Sequence, residues 1–301
     1  MIASKANRAK DLISLMVQGS WLPFSLLSPA DLGVIREKLC DKSSKDFAIN
    51  IVASGPSIRE VVFDSERLST PTIFVNGSIT LLDDYRFNQP LAYVVSDERF
   101  IAHNFGLIEA KFKQGLLFCM TLPVLMALIE AYPSFVTQFY SSFRLIFAID
   151  RPIVQRTGVM AILLHRHLPF YVQKNALKQT KNYTSDKFVF DWSHEPVVGV
   201  SLDITQGFVE AGTVAYVAAQ LAYGFKPAAI HLYGIDLMNS QQPRFYETEQ
   251  NKAPIKLDKA IVNRIVPSFD LLAQTYQAKN ITIFNHSPIS KSLFQQVKFL
   301  T

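Results

Sequence analysis

Two cysteines, Cys40 and Cys119, are all that the 301 residues hold. They stand far apart in sequence, so neither a disulfide framework nor a cysteine-based metal site is available, and this usage predicts a reducing compartment. Glycine never falls in the spacing Gly-x-Gly-x-x-Gly, and no lysine follows a glycine-rich loop. A dinucleotide fingerprint and a Walker-type ATP loop are thereby disfavoured. The chain has no uninterrupted apolar run of the roughly 20 residues that a membrane span needs. Its broken apolar stretch near the N-terminus has no small-residue cleavage site of a secretory signal behind it. Aromatic RNA-binding motifs, zinc-finger spacing and long basic tracts are missing too, so no nucleic-acid partner is expected. His165 and His167 alternate with no carboxylate close by, which is not metal-ligand spacing. No internal repeat or low-complexity tract divides the chain.

What remains is a composition that folds: 49% hydrophobic and 18% charged residues, too apolar for disorder. Thirty Lys plus Arg against 25 Asp plus Glu leave a net charge of +5, which suits an anionic partner without naming one. Residues 1–45 differ from the rest. A basic start with Lys5, Arg8 and Lys10 leads into Leu12–Leu27, which carries Trp21 and Phe24 and is broken by Gly19 and Pro23. This segment is expected to be helical, either lying on an anionic membrane surface or packed on the domain that follows.

From Asp46 onward, short apolar runs alternate with helical ones. Phe47–Ala53, Pro71–Val75, Leu91–Val95, Leu116–Cys119, Leu145–Ala148, Val197–Leu202, Ala229–Tyr233 and Ile281–Phe284 read as strands. Ser78–Asp84, Leu122–Glu130, Val214–Tyr223 and Ile261–Lys279 read as helices, and an amphipathic helix is expected to close the chain. Such alternation predicts an α/β fold, a Rossmann-like and largely parallel sheet with helices on both faces, within one domain over 46–301. The aromatic and basic stretch 134–195, with Arg151, Arg156, His165, Arg166, His167 and Lys174–Lys181, reads as a lid or small lobe, or as a solvated surface loop.

Ligands of such sheets bind at the carboxyl ends of the strands. Three successive strands end there in small polar groups: Ser54-Gly55-Pro56-Ser57, Asn76-Gly77-Ser78 and Ser96-Asp97-Glu98-Arg99. Ser54–Ser57 reads as an anion seat at a helix start, or as a plain strand-to-helix turn. A second stretch offers Gly212-Thr213 at the start of an apolar helix, where amides and a hydroxyl suit a phosphate or simply cap the helix. The following strand ends in Gly234-Ile235-Asp236, with Asp236 at the edge of the same pocket.

Ala53–Glu60, Phe74-Val75-Asn76, the Gly-Thr helix leading to Gly224-Phe225, Ile230–Asp236, and Thr275-Tyr276 before Ile281–Phe284 together resemble the bacterial sialyltransferases of glycosyltransferase family 42. They are similar also to the related transferases that add Kdo to the lipopolysaccharide inner core. The resemblance spans roughly Asp46–Leu300 and is thin in the middle. It implies a GT-A-like variant of the Rossmann-like fold and an inverting transferase that uses a CMP-activated ulosonic acid, CMP-Kdo or CMP-sialic acid, without a metal or other cofactor. It also implies that Gly55, Pro56, Ser57 and Asn76 line the nucleotide pocket, with Ser54 where sialyltransferases carry asparagine, and with Gly212-Thr213 near the phosphate. A glycolipid acceptor, peripheral contact with an anionic membrane and a cytoplasmic location on the inner membrane follow as expectations.

The sialyltransferases carry a histidine base between the Gly-Ile-Asp strand and the late helix, but Leu237–Phe269 has none. Arg244-Phe245-Tyr246-Glu247 and Glu249 stand there instead, which shifts the reading from sialyl transfer to Kdo transfer. Arg244 and Tyr246 are expected to hold the phosphate, and Glu247 or Asp97 to take the acceptor proton, or Arg244-Phe245-Tyr246-Glu247 is an exposed loop with a local ion pair. Ser96 is expected to join the nucleotide pocket with Gly234 and Asp236. His286, at a strand end, is the one histidine placed to restore a histidine base, or it satisfies a turn. Two other classes stay open. One is a pterin pyrophosphokinase-like enzyme with ATP and a magnesium ion between Asp97 and Asp236. The other is a non-catalytic protein at a membrane surface.

Overall fold

Buried runs whose successive side chains point to opposite faces build the centre of the molecule. In the computed structural model, which describes residues 12–42, 46–155, 170–175, 177, 186–238, 242–248, 250 and 260–301, ten strands form one sheet in the order β1-β2-β7-β6-β5-β4-β3-β12-β13-β14. These are β1 (Leu12–Val17), β2 (Ser20–Leu26), β3 (Ala48–Val52), β4 (Thr72–Val75), β5 (Pro90–Val95), β6 (Leu117–Met120), β7 (Phe143–Leu145), β12 (Ala229–Tyr233), β13 (Thr282–Asn285) and β14 (Lys298–Phe299). Every neighbouring pair is parallel except β1 with β2, so the largely parallel, Rossmann-like sheet read from the sequence is the one observed.

The pleat sorts the core into two layers. Ile49, Ile51, Ile73, Val75, Ala92, Val94, Ile230 and Leu232 pack on one face with α1 (Pro29–Lys42) and with two later helices, α4 (Val214–Gly224) and α5 (Val266–Gln277). Val52, Phe74, Tyr93, Val95, Phe118, Met120 and Tyr233 pack on the other with α2 (Glu98–Lys111) and α3 (Leu122–Ala131). Helices thus cover both faces.

Three expectations are corrected. Residues 12–26 are not helical: Gln18-Gly19, both at positive φ, make a two-residue turn that pairs β1 with β2, and β2 joins the main sheet beside β7. The basic start over residues 1–10 lies outside the described residues. The Val197–Leu202 run is a strand, β11 (Val198–Ser201), but it pairs antiparallel with β10 (Phe188–Asp191) in a separate small sheet. The chain closes in turns and the short β14, not in a helix.

Part of the stretch 134–195 belongs to the core. Phe135, Phe139 and Phe143 are buried in an aromatic cluster with Phe112 and Phe118. The described remainder is a hairpin, β8 (Ile153–Gln155) with β9 (Phe170–Val172), together with β10. Arg156, His165, Arg166, His167 and residues 178–181 lie outside the described residues. No single helix among the described residues is long and apolar enough to cross a membrane.

Gln220, fully buried in α4, holds the loop that leads from β11 back to that helix. Its Oε1 accepts the N–H groups of Ser201 and Val209 at 2.9 Å each, and its Nε2 donates to the carbonyls of Val209 and Tyr216. Replacing it with leucine strands two buried N–H groups and leaves Val209 O without this partner. At about 1–3 kcal/mol for each unmet group, Gln220→Leu is expected to lower unfolding free energy by roughly 3 kcal/mol or more, read by urea denaturation.

Candidate active site

Sheet order reverses between β3 and β12, because the chain steps outward from β3 through β4–β7 and later returns on its other side. Crevices at such a reversal are where α/β sheets bind ligands. Here the chain fills the crevice itself. The Asp236 carboxylate accepts the Ser57 amide at 2.6 Å and the Ser57 hydroxyl at 2.7 Å, while the Gly55 N–H donates to Gly234 O at 3.0 Å. The anion seat read at Ser54–Ser57 is therefore occupied by an internal carboxylate, and Asp236 does not face an open pocket. Gly55 keeps an ordinary extended backbone (φ −63°). What demands glycine is the neighbour, since a Cβ at this position would stand 2.4 Å from Asp236 Oδ2. Ser287 and Ser290, after β13, fasten the same segment by bonding the backbone of Ile235 and Leu237.

Pro56–Glu60 forms one 3₁₀ turn, and it delivers Arg59, a residue to which the sequence reading gave no task. Its guanidinium donates to the carbonyls of Arg244, Phe245 and Glu247. The Phe245 amide in turn donates to Ser54 O at 3.3 Å. The loop 242–248 is so pinned over the ends of β3 and β4, with the Tyr246 ring lying on Gly77, where a Cβ would meet the ring at 1.9 Å. Burial pushes the Tyr246 phenol up to about 12, the Arg244 cation lowering and the Glu247 charge raising it, so at neutral pH it is a hydroxyl donor.

Arg244 and Glu247 form the local ion pair that was the other reading of this segment. Glu247 is buried, and its two oxygens accept the Arg244 amide at 2.9 Å and the Arg244 Nη1 at 2.6 Å. A carboxylate locked to a cation in this way is no accessible base, and the cation is spent on it. Asp97 is likewise engaged: it caps α2 through the Arg99 amide and grips the Arg99 side chain. Burial raises its carboxyl, and the Arg99 hydrogen bonds and charge outweigh that, leaving it below the usual carboxylate range and a weaker base. Of the pair read for magnesium, Asp97 is thus on Arg99 and Asp236 on Ser57. Among the described residues no group of three His, Cys, Asp or Glu is arranged to hold a metal ion. Glu249 lies outside the described residues.

His286 faces away from these groups. Its Nε2 lies 2.7 Å from His231 Nδ1, and its ring stacks on Tyr233. Burial, together with the nearby Arg67 charge, lowers both imidazoles to about 4. This pair therefore joins β12 to the turn after β13 as neutral rings.

Polar groups are open farther along the carboxyl edge. Asn76, at φ +49°, has its Oδ1 buried with no partner, as are the hydroxyls of Tyr93 and Tyr246. A cavity of about 70 Å³ lies across the ends of β5–β7 and is lined by Ser96, Glu98, Thr121, Arg151, Ile153 and Glu210, among others. The Gly212 N–H, expected to meet a phosphate, donates instead to Glu210 Oε1 at 2.6 Å. Thr213 is the N-cap of α4 without using its hydroxyl as a cap, so that hydroxyl and the first amides of the helix remain as anion donors. Ser96, Asn76, Tyr246 and Thr213 thus keep places at this edge. Thr121 and Glu210 were missed, because only the fold brings them to the same cavity, while Arg151 comes from the stretch read as a lid or small lobe.

Over residues 189–301 the chain matches the family model described as 3-deoxy-D-manno-octulosonic acid transferase WaaZ. It is 32% identical over 104 residues to a probable 3-deoxy-manno-octulosonic acid transferase of Escherichia coli, covering 35% of each chain. With a protein of the same description from Salmonella typhimurium it is 32% identical over 108 residues, 35% of this chain and 38% of that one. The match spans about a third of the length of these curated relatives. Among solved structures, the sialyltransferase CST-II in complex with trisaccharide acceptor and CMP is similar with a TM-score of 0.39 and 16% identity, over 84% of this chain and 86% of that one.

Two outcomes follow from these contacts. Asp236→Ala removes two charge-assisted hydrogen bonds and is expected to cost about 2–4 kcal/mol of stability, measured by urea denaturation. For the histidine pair, the unfolded chain binds protons below about 6.5 that the folded chain refuses until about 4. Stability should thus fall as pH drops through that window, and the urea midpoint should fall less steeply there in His231→Phe.

Proposed function

We propose that this chain is a glycosyltransferase that moves Kdo from CMP-Kdo to a lipopolysaccharide inner-core acceptor, with inversion and without a metal. The observation that carries the reading is the meeting of two parts of the chain at one carboxyl edge. The stretch that matches the Kdo transferase model, residues 189–301, supplies Thr213 at the start of α4 and Tyr246 in the pinned loop. The earlier half supplies Asn76 and Ser96 from β4 and β5.

Each group suits a part of such a donor. The unpartnered Asn76 Oδ1 offers an acceptor for an amino group such as that of cytosine. The Thr213 hydroxyl, the α4 amides and the Tyr246 hydroxyl offer donors for the phosphate, whose charge grows as CMP departs. Arg151, on the cavity wall, offers a cation for the carboxylate of the ulosonic acid. Stabilising the leaving phosphate by these dipoles and hydroxyls removes the need for a bound cation. Inversion follows from a single displacement in which the acceptor oxygen attacks from the side opposite the phosphate. A cytoplasmic location, peripheral on the inner membrane where a glycolipid acceptor is met, belongs to the same proposal.

Thermal unfolding with CMP, CTP and ATP, each with magnesium or EDTA, tests the reading. A ligand at a hundred times its Kd adds about 2.7 kcal/mol. CMP is expected to raise Tm equally in magnesium and in EDTA, and Asn76→Ala to blunt that rise. Stabilisation by ATP with magnesium alone would overturn the reading.

A further inference from the structure

Transfer to a hydroxyl needs a base, and the carboxylates singled out along the carboxyl edge are mostly engaged. Asp97 serves Arg99, Asp236 serves Ser57, and Glu247 is buried on Arg244. Two acidic side chains line the cavity at the ends of β5–β7, Glu98 and Glu210. Glu98 is exposed at the first position of α2, with nothing to fix it against a reacting atom.

Glu210 is half-buried and held on several sides. Its Oε1 accepts the Gly212 amide at 2.6 Å, and its backbone carbonyl accepts Arg264 Nη2 at 2.6 Å. Arg264 comes from a π-helical turn, Ile261–Ile265, that leads into α5. The residue before it, Val209, is bound through both its N–H and its carbonyl by Gln220. The second carboxylate oxygen, Oε2, makes no hydrogen bond with any described residue. A carboxylate with one oxygen anchored and the other open, on a loop tied to two helices, has the fixed position that proton abstraction requires. Thr213, three residues on, keeps the expected phosphate seat on the same loop.

We infer that Glu210 is the general base of the transfer, an assignment that rests on the glycosyltransferase reading above. The acceptor hydroxyl oxygen forms the new bond to the anomeric carbon of the ulosonyl group, and the bond from that carbon to the phosphate oxygen breaks with its electron pair going to CMP. The hydroxyl proton passes to Glu210 Oε2, and the protonated carboxyl afterwards gives it to water. Ser96 and Thr121 line the space in which the acceptor hydroxyl meets the donor.

Glu210→Gln separates this role from a structural one, because the amide oxygen of glutamine still accepts the Gly212 N–H. With CMP-Kdo as donor and lipopolysaccharide core oligosaccharide as acceptor, CMP release by the variant is expected to fall about 10²-fold or more. Its Tm and its stabilisation by CMP should stay those of the parent chain. Glu210→Ala should recover part of its turnover in added formate, which substitutes for a missing carboxylate base. Parental turnover in Glu210→Gln would overturn the assignment while leaving the transferase reading intact. A loss of CMP stabilisation in that variant would make Glu210 a donor-binding group and overturn it equally. A parent chain that CMP does not stabilise would overturn both.

Discussion

One carboxylate decides where this sheet can work. Asp236, at the end of β12, reaches across the reversal point to the amide and hydroxyl of Ser57 beyond β3, and so occupies the crevice that α/β sheets usually leave for a ligand. The contact requires glycine at position 55, where any side chain would collide with Asp236. It also fixes the 3₁₀ turn that carries Arg59. Through Arg59 the same turn governs the loop 242–248, and through that loop it governs where Tyr246 rests. A structural bond at the switch point therefore displaces the open polar groups sideways, to the ends of β4–β7.

A second constraint acts from the other face of the sheet. The loop between β11 and α4 runs without regular pairing, and its backbone groups would be stranded inside the core without a partner. Gln220 answers both groups of Val209 in that loop, and with the same side chain the Ser201 amide at the end of β11 and the Tyr216 carbonyl in α4, which is close to the most a primary amide can do. The loop is consequently rigid just where Glu210, Gly212 and Thr213 follow. Rigidity at this place is a condition for chemistry: a group that must meet a reacting atom within a fraction of an ångström cannot sit on a free loop.

How far the sequence discloses this arrangement depends on the range of each interaction. The central strands are legible because burial on both faces makes them continuous apolar runs, as in Ile73–Val75 and Ala92–Val95. The same signal misleads at Val198–Ser201, since an apolar run reports burial and not the identity of the partner strand. At the N-terminus the two-residue turn Gln18-Gly19 was the available hairpin signal, but an apolar stretch containing Trp21 and Phe24 outweighed it. Local polar chemistry was read correctly in kind: Asn76, Ser96 and Thr213 do stand at the carboxyl edge. Distant partners are not legible. Nothing near Ser57 in sequence announces Asp236, 179 residues on, or near Arg59 the carbonyls it holds. Local pairs are legible: Glu247 meets Arg244 three residues back, the ion pair that the spacing allows, and Asp97 meets Arg99 two residues on.

Three buried, unpartnered polar atoms gather around β4 and β5: Asn76 Oδ1, Tyr93 Oη and Tyr246 Oη, and such groups cost about 1–3 kcal/mol each when left unmet. Asn76 ends β4, Tyr93 lies on β5, and Tyr246 sits on Gly77 just past the end of β4. On the β3–β12 side Ser57 is satisfied by Asp236, the Gly55 amide by Gly234, and the Ile235 amide by Ser287, and His286 Nδ1 after β13 is the buried atom left without a partner there among the described residues. A ligand with hydrogen-bonding groups of its own gains most by binding where it answers such atoms, and around β4 and β5 three of them stand together.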